Sequence, residues 1–513
     1  MEEMKPHNDV RIGTISETMT NMQREYWRYA GMALIFALLF VVCLYKNVAG
    51  VTAPFFSIGI LALLYFFARI NGIEIKKSAI PMGIAIVSFG ISSFLTTNGG
   101  ILFFNYVAGI FILGLLVISH LYDIDSWKGM DYFLQFLNYG VGILENLMAC
   151  FSMHKVYKKE YAVQREKKGF QNTKVFPVVL GVACAIPAVI FVGCLLMSSD
   201  AVFGDMGEEL LASLFGYNWF GNIFGIGFWF VSAFLCFYAM LYYFAKEQNT
   251  EYAAVEIKQH EPLIAIGFLA PFLIIYAIFS WIQIGALFLG NMSLPENYTY
   301  AEYAREGFWQ LLFVCMINFG IVMICYSFFR ESKVLKVLQT LMVGCTYIMI
   351  LSAAFRMGMY VEAYGLTRKR VLVFWALAVL AALFIGVTIA IWRCHFSLFR
   401  FGTVVVIGMY LCLSLSHMDY WIAHYNLFAH PDSVEMELER GMKTVLEYLE
   451  EDVSLDAAPV IFKYYDQEKE WKDDRQMKYE KEDYEERIKE ECADMGWRNF
   501  NFSKWMAKRE LIE

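Results

Sequence analysis

Residues 29–45 read Tyr29-Ala-Gly-Met-Ala-Leu-Ile-Phe-Ala-Leu-Leu-Phe-Val-Val-Cys-Leu-Tyr45, with Arg28 before them and Lys46 after. No charge interrupts the run, and Trp27 stands where an interfacial aromatic anchor belongs. Its length is about the shortest helix that crosses a hydrocarbon core of roughly 30 Å. At that depth only a helix or a closed barrel keeps every backbone amide paired, so the run predicts a spanning helix. It has no clear small-residue cleavage site and reads as a retained signal anchor, not a removed signal peptide.

The pattern recurs at 51–70, 79–96, 101–120, 176–198, 221–245, 262–289, 308–329, 337–354, 371–392 and 401–416. About eleven spans predict an all-α, polytopic integral membrane helical bundle over residues 29–416, after an N-terminal segment 1–28. Two apolar stretches, 130–153 and 201–219, carry acids and amides at spacings that leave only one face apolar. They read as helices lying in the interface or packed against the bundle.

Charge divides the chain. Up to Ser416 there are 28 Lys+Arg and 25 Asp+Glu; from His417 on there are 14 and 25. Residues 417–513 therefore form a charged tail with a net charge of −11, which would repel a nucleic-acid backbone but could meet a protein partner. The tail reads as helical: 434–450, then a helix containing 457–465 with Ser454 as its cap, then a solvated charged helix over 467–491. The aromatic cluster Trp497, Phe500, Phe502 and Trp505 must pack within the tail or on the membrane surface. The 11 cysteines are scattered without a Cys-x-x-Cys, which reads as apolar filler.

With the N-terminus in the cytoplasm, 22 of the 28 Lys and Arg before the tail lie inside. That is a strong positive-inside bias, and eleven spans then put the tail outside. One outer connection breaks the rule, because it carries Arg356, Arg368, Lys369 and Arg370.

Three stretches hold the unusual residues. Residues 294–311 read Leu-Pro-Glu-Asn-Tyr-Thr-Tyr-Ala-Glu-Tyr-Ala-Arg-Glu-Gly-Phe-Trp-Gln-Leu. Residues 356–370 read Arg-Met-Gly-Met-Tyr-Val-Glu-Ala-Tyr-Gly-Leu-Thr-Arg-Lys-Arg. Residues 419–427 read Asp-Tyr-Trp-Ile-Ala-His-Tyr-Asn-Leu, followed by Tyr448-Leu449 and Ser454-Leu-Asp-Ala-Ala-Pro459. On these the chain resembles a bacterial membrane-protein family known only as domain of unknown function 4153, a relative of 4173. The resemblance rests on Tyr303, Arg305, Gly307, Phe308 and Gln310; on Tyr360, Ala363, Tyr364, Gly365, Thr367, Arg368 and Arg370; and on Asp419, Ile422, Ala423, Asn426, Ser454, Asp456, Ala457 and Pro459. It covers residues 262–461, while the earlier spans agree only in hydropathy. His424 stands where the family more usually has arginine, and Asp452-Val453 where a single leucine usually precedes the serine. The resemblance implies an architecture and no known activity.

Each stretch has a structural reading. Gly365 and Thr367 suit a tight helical hairpin, and Asn318 suits a bond to a neighbouring helix, while Asn105, Gln283 and Asn318 are weak candidates for the mid-bilayer polar groups of a transporter. The functional reading is convergence: under this topology all three stretches reach the outer face. Tyr303, Arg305, Glu306, Arg356, Tyr360, Glu362, Arg368, Arg370, Asp419 and Asn426 would then line a polar pocket for an anionic ligand such as a lipid headgroup or another envelope component. His417, His424 and His430 beside Asp419 fit no familiar metal-ligand spacing, no nucleophile motif is present, and no cofactor is indicated. The first expectation is a non-enzymatic scaffold, sensor or regulator of the bacterial envelope. The second is a transporter or lipid-handling protein. A lipid-linked transferase ranks third, because the first outer loop (46–50) lacks an acid.

Overall fold

Amphipathic α1 (Glu17–Arg24), capped by Ser16, leads into α2 (Tyr26–Leu44), the helix predicted from residues 29–45. The computed structural model describes residues 16–122, 127, 129–162, 219–248, 260–285, 300–393, 396–430, 435–438, 441–467, 475–493 and 495–512. After α2 come α3 (Thr52–Ile70), α4 (Ala79–Leu95) and α5 (Gly99–Leu121). Then follow α6 (Gly129–Glu145), α7 (Ala149–Val156) and α8 (Trp219–Glu247). The second half holds α9 (Pro262–Gln283), α10 (Tyr300–Phe328), α11 (Lys333–Tyr364), α12 (Arg368–Trp392) and α13 (Leu398–Leu415). Among the described residues nine helices are long and apolar enough to cross a membrane, and α4 is a shorter apolar helix. Ten of the expected spans thus correspond to helices of a polytopic membrane bundle. The expected span 176–198 lies outside the described residues, as does the expected surface helix 201–219 up to residue 218.

The helices alternate in direction, which gives the bundle two distinct ends. The Ser16 hydroxyl donates to the Ala245 carbonyl at the close of α8, whereas Gly225 near the start of α8 abuts Tyr45, so α2 and α8 run antiparallel. The end that holds α1 is here called the N-terminal end. The opposite end carries the tail. One core forms around Met22, Tyr29, Ile118, Tyr238 and Leu241, and a second around Leu269, Met342, Met349, Met357 and Phe384. Between them α4, α5 and α13 meet at Phe89, Ile112 and Tyr410.

α6 does not cross. Its Tyr132 ring stacks 4.0 Å from Phe399 at the start of α13, and its Tyr139 ring lies 5.8 Å from Tyr243 at the close of α8. Both partners sit at the N-terminal end, so α6 lies across it, with Phe133, Leu137, Val141 and Leu144 exposed on its apolar face.

Polar residues inside the bundle bond across helices. Asn105 donates to the Ser92 and Ser93 hydroxyls (3.1 and 3.2 Å) and accepts from Tyr410 and Ser414 of α13 (3.0 and 2.7 Å). Asn318 accepts from Tyr276 and donates to Thr346 (2.8 and 3.0 Å), and Ser352 donates to Gln283 (2.7 Å). With lipid as apolar as the helix faces, such bonds and close packing are what fix helix register.

The tail starts with α14 (Met418–His424) and a π-turn (Tyr425–Ala429). Residues 434–450, expected to be one helix, instead make an antiparallel hairpin of β1 (Glu435–Leu438) and β2 (Gly441–Thr444), with Glu435 opposite Thr444. The strict alternation Val434-Glu-Met-Glu-Leu438 is a period-two pattern, and it overrides the helix propensity of Glu, Met and Leu. α15 (Val445–Glu451) follows, capped by Thr444, then a 3-10 turn (Leu455–Ala457) and α16 (Ala458–Gln467). The charged helix is α17 (Arg475–Ala493), which buries Tyr484, Ile488 and Cys492 at four-residue spacing, and the last element is α18 (Phe502–Glu510).

Asn105 ties three helices through four bonds. Asn105→Leu is expected to lower resistance of the purified chain to denaturing detergent by roughly 1–2 kcal/mol, more than Asn318→Leu, in a melt followed by tryptophan fluorescence.

Candidate functional site

The site begins at a corner. Gly365 closes α11 with φ 71°, a left-handed conformation that glycine adopts without strain, and two residues later Thr367 opens α12. Thr367 occupies the cap position, but its side chain makes no capping bond. Arg370 reaches back to donate to the carbonyls of Tyr364 and Gly365 (2.6 and 2.5 Å), with its guanidinium 4.2 Å from the centre of the Tyr360 ring. Asn426 clamps the same corner from the tail. Its amide accepts from the Leu366 N–H (2.7 Å) and donates to the Leu366 carbonyl (2.8 Å).

Asp419 is the centre of the constellation. Its side chain is fully buried, and it accepts a bidentate pair from Arg368 (Nε 2.7 Å, Nη2 2.5 Å). Asn98 donates to it from the cap of α5 (2.9 Å), and Ser454 donates through both backbone N–H (3.2 Å) and hydroxyl (2.5 Å). The Ser454 hydroxyl, expected to cap a helix, therefore serves Asp419. Arg368 in turn donates its backbone N–H to the Tyr448 hydroxyl (3.1 Å).

Asp456 makes a second centre beside the first. It accepts from the Thr96 hydroxyl (2.5 Å), the Thr97 N–H (2.9 Å) and the Thr97 hydroxyl (3.2 Å). The His417 ring stands 3.8 Å away, an ion-pair distance, and His417 itself adopts φ 50° between α13 and α14. Burial alone would raise the Asp456 carboxyl, but bonds from His417, Thr96, Thr97 and Ser503 outweigh it and hold the group below the ordinary carboxylate value. The same carboxylate pushes the His417 imidazole above its ordinary 6.5.

The last residues of the tail dock on neighbouring corners. Arg498 donates to the Val42 and Tyr45 carbonyls that end α2 (2.9 and 2.8 Å), and its own carbonyl accepts from Asn47 (2.9 Å). The Val51 N–H donates to the Phe500 carbonyl (2.8 Å), and the chain passes so close to Gly50 (φ 151°) that a Cβ there would lie 2.8 Å from the Arg498 oxygen. Asn501 donates to the Thr96 carbonyl (2.9 Å) and Ser503 to the Leu95 carbonyl (2.6 Å), which fastens α18 onto α4. Of the aromatic cluster, Phe500 rests 6.1 Å from Phe94, and Trp497 is exposed.

Tyr360, Arg368, Arg370, Asp419 and Asn426 are thus drawn into one assembly at the tail end. Arg356 is buried on α11 about two turns from the corner, and Glu362 is exposed. The backbone of Tyr303, Arg305 and Glu306 lies in the first turns of α10, while their side chains lie outside the described residues. Phe308, one turn on, packs its ring 6.2 Å from Tyr360, which sets the first motif's helix beside the second. Asn98, Thr96, Thr97 and Arg498 escaped the sequence reading. The available signal was Thr96-Thr97-Asn98-Gly99, a cap-like polar break between two apolar runs. Among the described residues no three His, Cys, Asp or Glu are grouped to hold a metal ion.

Removing one partner of a hydrogen-bonded buried ion pair leaves the other charge stranded. Asp419→Ala is therefore expected to destabilise the docked tail by roughly 2–3 kcal/mol, less than for a fully buried pair because Arg368 keeps 30 % side-chain exposure. Limited proteolysis of the full chain should show faster cleavage within 431–474. An unchanged cleavage rate would mean that the pair does not hold the tail.

No curated protein matches the chain, and no solved structure does. One family model does, over residues 83–464, under the description Domain of unknown function (DUF4153). The match runs further towards the N-terminus than the motifs alone indicated and takes in Thr96, Thr97 and Asn98, the bundle's partners for Asp456 and Asp419. With most of the chain matched and both carboxylate centres inside the matched segment, the protein belongs to the DUF4153 family.

Proposed function

We propose that this chain is a non-enzymatic scaffold, sensor or regulator of the bacterial cell membrane, working through a tail latched to the outer end of the bundle. In this reading residues 1–28 are cytoplasmic, 29–416 form the bundle and 417–513 are extracytoplasmic. The observation that carries it is the pair of buried carboxylates, Asp419 and Asp456, whose bonds join the tail to two separate corners of the bundle, α4–α5 and α11–α12. A side chain held this way is a fastening and leaves little capacity to bind and release a substrate. The acidic tail would offer its exposed α17 face to a protein partner.

The orientation draws support from the same site. Arginines on an outer face run against the positive-inside tendency, but here Arg368 is matched by Asp419, and Arg370 is bound to two carbonyls and an aromatic ring. Cys492 is buried and makes a poor reporter, whereas Lys478 on α17 is 74 % exposed. A Lys478→Cys variant is expected to react with a membrane-impermeant maleimide in intact cells. Reaction only after permeabilisation would place the tail inside and end the outer-latch reading.

A second reading, a transporter or lipid-handling protein that recognises an anionic ligand, is favoured by Arg356, a cation buried on a spanning helix. Tyr303, Arg305, Glu306 and Glu362 would supply the rest of that pocket. Co-purified anionic lipid that is lost on Arg305→Ala would support it over the latch.

The latch should respond to pH. His417 is raised above 6.5 by Asp456, so its contribution is complete below 6.5 and is lost as pH rises through the raised value. Glu450, accepting from Tyr465 and facing Glu480, Asp483 and Arg487, is pushed by burial from 4.5 to about 7, so the tail loses stability as pH rises from 4.5 to 7. Asp456 is depressed and weakens the latch only as pH falls below its ordinary 3.8. The thermal midpoint of the tail is therefore expected to be higher at pH 6 than at pH 8, with the difference reduced in His417→Gln and Glu450→Gln. A midpoint that rises with pH would exclude this arrangement.

A further inference from the structure

A cavity of about 560 Å³ opens at the N-terminal end of the bundle, between α3, α4 and α5 and backed by α8. Its walls include Leu64 and Phe67 of α3, Gly83 and Val87 of α4, Val117 of α5 and Phe244 of α8. Along α4 the lining runs from Ala79 to Ile91, roughly 18 Å at 1.5 Å per residue. One leaflet of hydrocarbon is about half of the 30 Å core, so the crevice has the length of a single acyl chain. Tyr65 on the membrane-spanning α3, and Ile80 and Ile84 on the shorter apolar α4 packed beside it, are exposed on the rim, so the medium that meets the opening is lipid tail. The polar side chains of the lining are turned to the protein: the Ser88 hydroxyl donates to the Ile84 carbonyl (2.9 Å), and His120 Nδ1 pairs with the Leu116 carbonyl (2.8 Å).

The mouth is net basic. Arg69 ends α3, and the connection to α4 holds Lys76 and Lys77 against the single acid Glu74. Lys76 donates from Nζ to the Ser119 and Tyr122 carbonyls at the end of α5 and from its backbone N–H to the ring of the lining residue His120 (3.3 Å), which holds its cation at the edge of the crevice, and Lys77 beside it is exposed. A basic mouth on a lateral apolar crevice is the arrangement that suits a lipid phosphate above a buried tail.

We propose that this crevice holds one acyl chain of an anionic glycerophospholipid, with the phosphate placed at Lys76 and Lys77. The family match begins at residue 83, so the basic connection lies outside the matched segment, while the crevice walls from α5, α8 and most of α4 lie inside it. It is at the opposite end of the bundle from the tail latch and stands independently of that reading. Acyl burial between helices gains little over lipid itself; selectivity therefore has to come from the two lysines.

The test is native mass spectrometry of the full-length protein, released from neutral detergent after titration with phosphatidylglycerol or with phosphatidylcholine of the same acyl chains. Phosphatidylglycerol is expected to be retained preferentially. Lys77→Gln should cut that preference by about fivefold, and Lys76→Gln with Lys77→Gln by about fivefold again. Val87→Trp, which fills the crevice, should reduce retention of both lipids. Equal retention of the two lipids by the unaltered protein would overturn the proposal. So would a phosphatidylglycerol preference unchanged by Lys77→Gln, a substitution on an exposed connection that leaves the bundle intact whatever Val87→Trp does.

Discussion

A carboxylate taken out of water must have its charge and its lone pairs answered, and at the tail end of this bundle two are. Asp419 is bonded from α12, from the cap of α5 and from the loop after α15, and Asp456 from the α4–α5 connection and from His417. Removing any one of these segments would leave a buried ionised group under-satisfied, a penalty of several kcal/mol by general precedent. Segments more than 300 residues apart in the chain are therefore bound to one place. The α4–α5 and α11–α12 corners must therefore both emerge on the side where the tail begins, and Arg498 holds the α2–α3 corner to the same side.

The same requirement makes the tail part of the bundle. Its own core, around Ile422, Leu449, Ile461 and Ile488, shares Leu366 and Val371 with the α11–α12 corner. Beyond the family match, Arg498, Asn501 and Ser503 add a second set of ties to α2, α3 and α4. Movement of the tail as a unit has to break charged, buried bonds, whereas the solvated outer face of α17, held by pairs such as Arg487–Glu491, can change freely. That division is what a docked regulatory element needs: a rigid root and an open surface.

How much of this could be read from the chain depends on which signal each part carries. The spanning helices are legible because about 20 apolar residues have one physical solution in lipid, and α2, α5 and α12 fall close to their expected bounds. The packing of α6 across the end of the bundle was legible from its one apolar face. The hairpin 435–444 was misread because composition was weighed above alternation. Asp419, Asn426 and Arg368 were singled out by their motifs, but spacing along a chain says nothing of distance across it. Their pairing with Asn98, and that of Asp456 with Thr97, needed the fold. Arg498 carried no local signal, since its partners are backbone carbonyls, which every sequence supplies.

Helix ends explain where the tail's charges go. α2, α4 and α11 finish at this end, and their last carbonyls carry the negative pole of each helix; α5 and α12 start here and present the positive pole. The groups that meet the finishing helices are donors: Arg498 on α2, Asn501 and Ser503 at the close of α4, Arg370 on α11. The groups that meet the starting helices are acids: Asp419 at the cap of α5 and at Arg368 opening α12, and Asp456 at the Thr97 N–H just before α5. Reversing the order of acids and donors would set like poles against each other at every corner. Arg370 is therefore placed by the polarity of the helix whose last carbonyls it meets, whereas Arg368, at the positive pole of α12, has its charge answered by Asp419 within the protein.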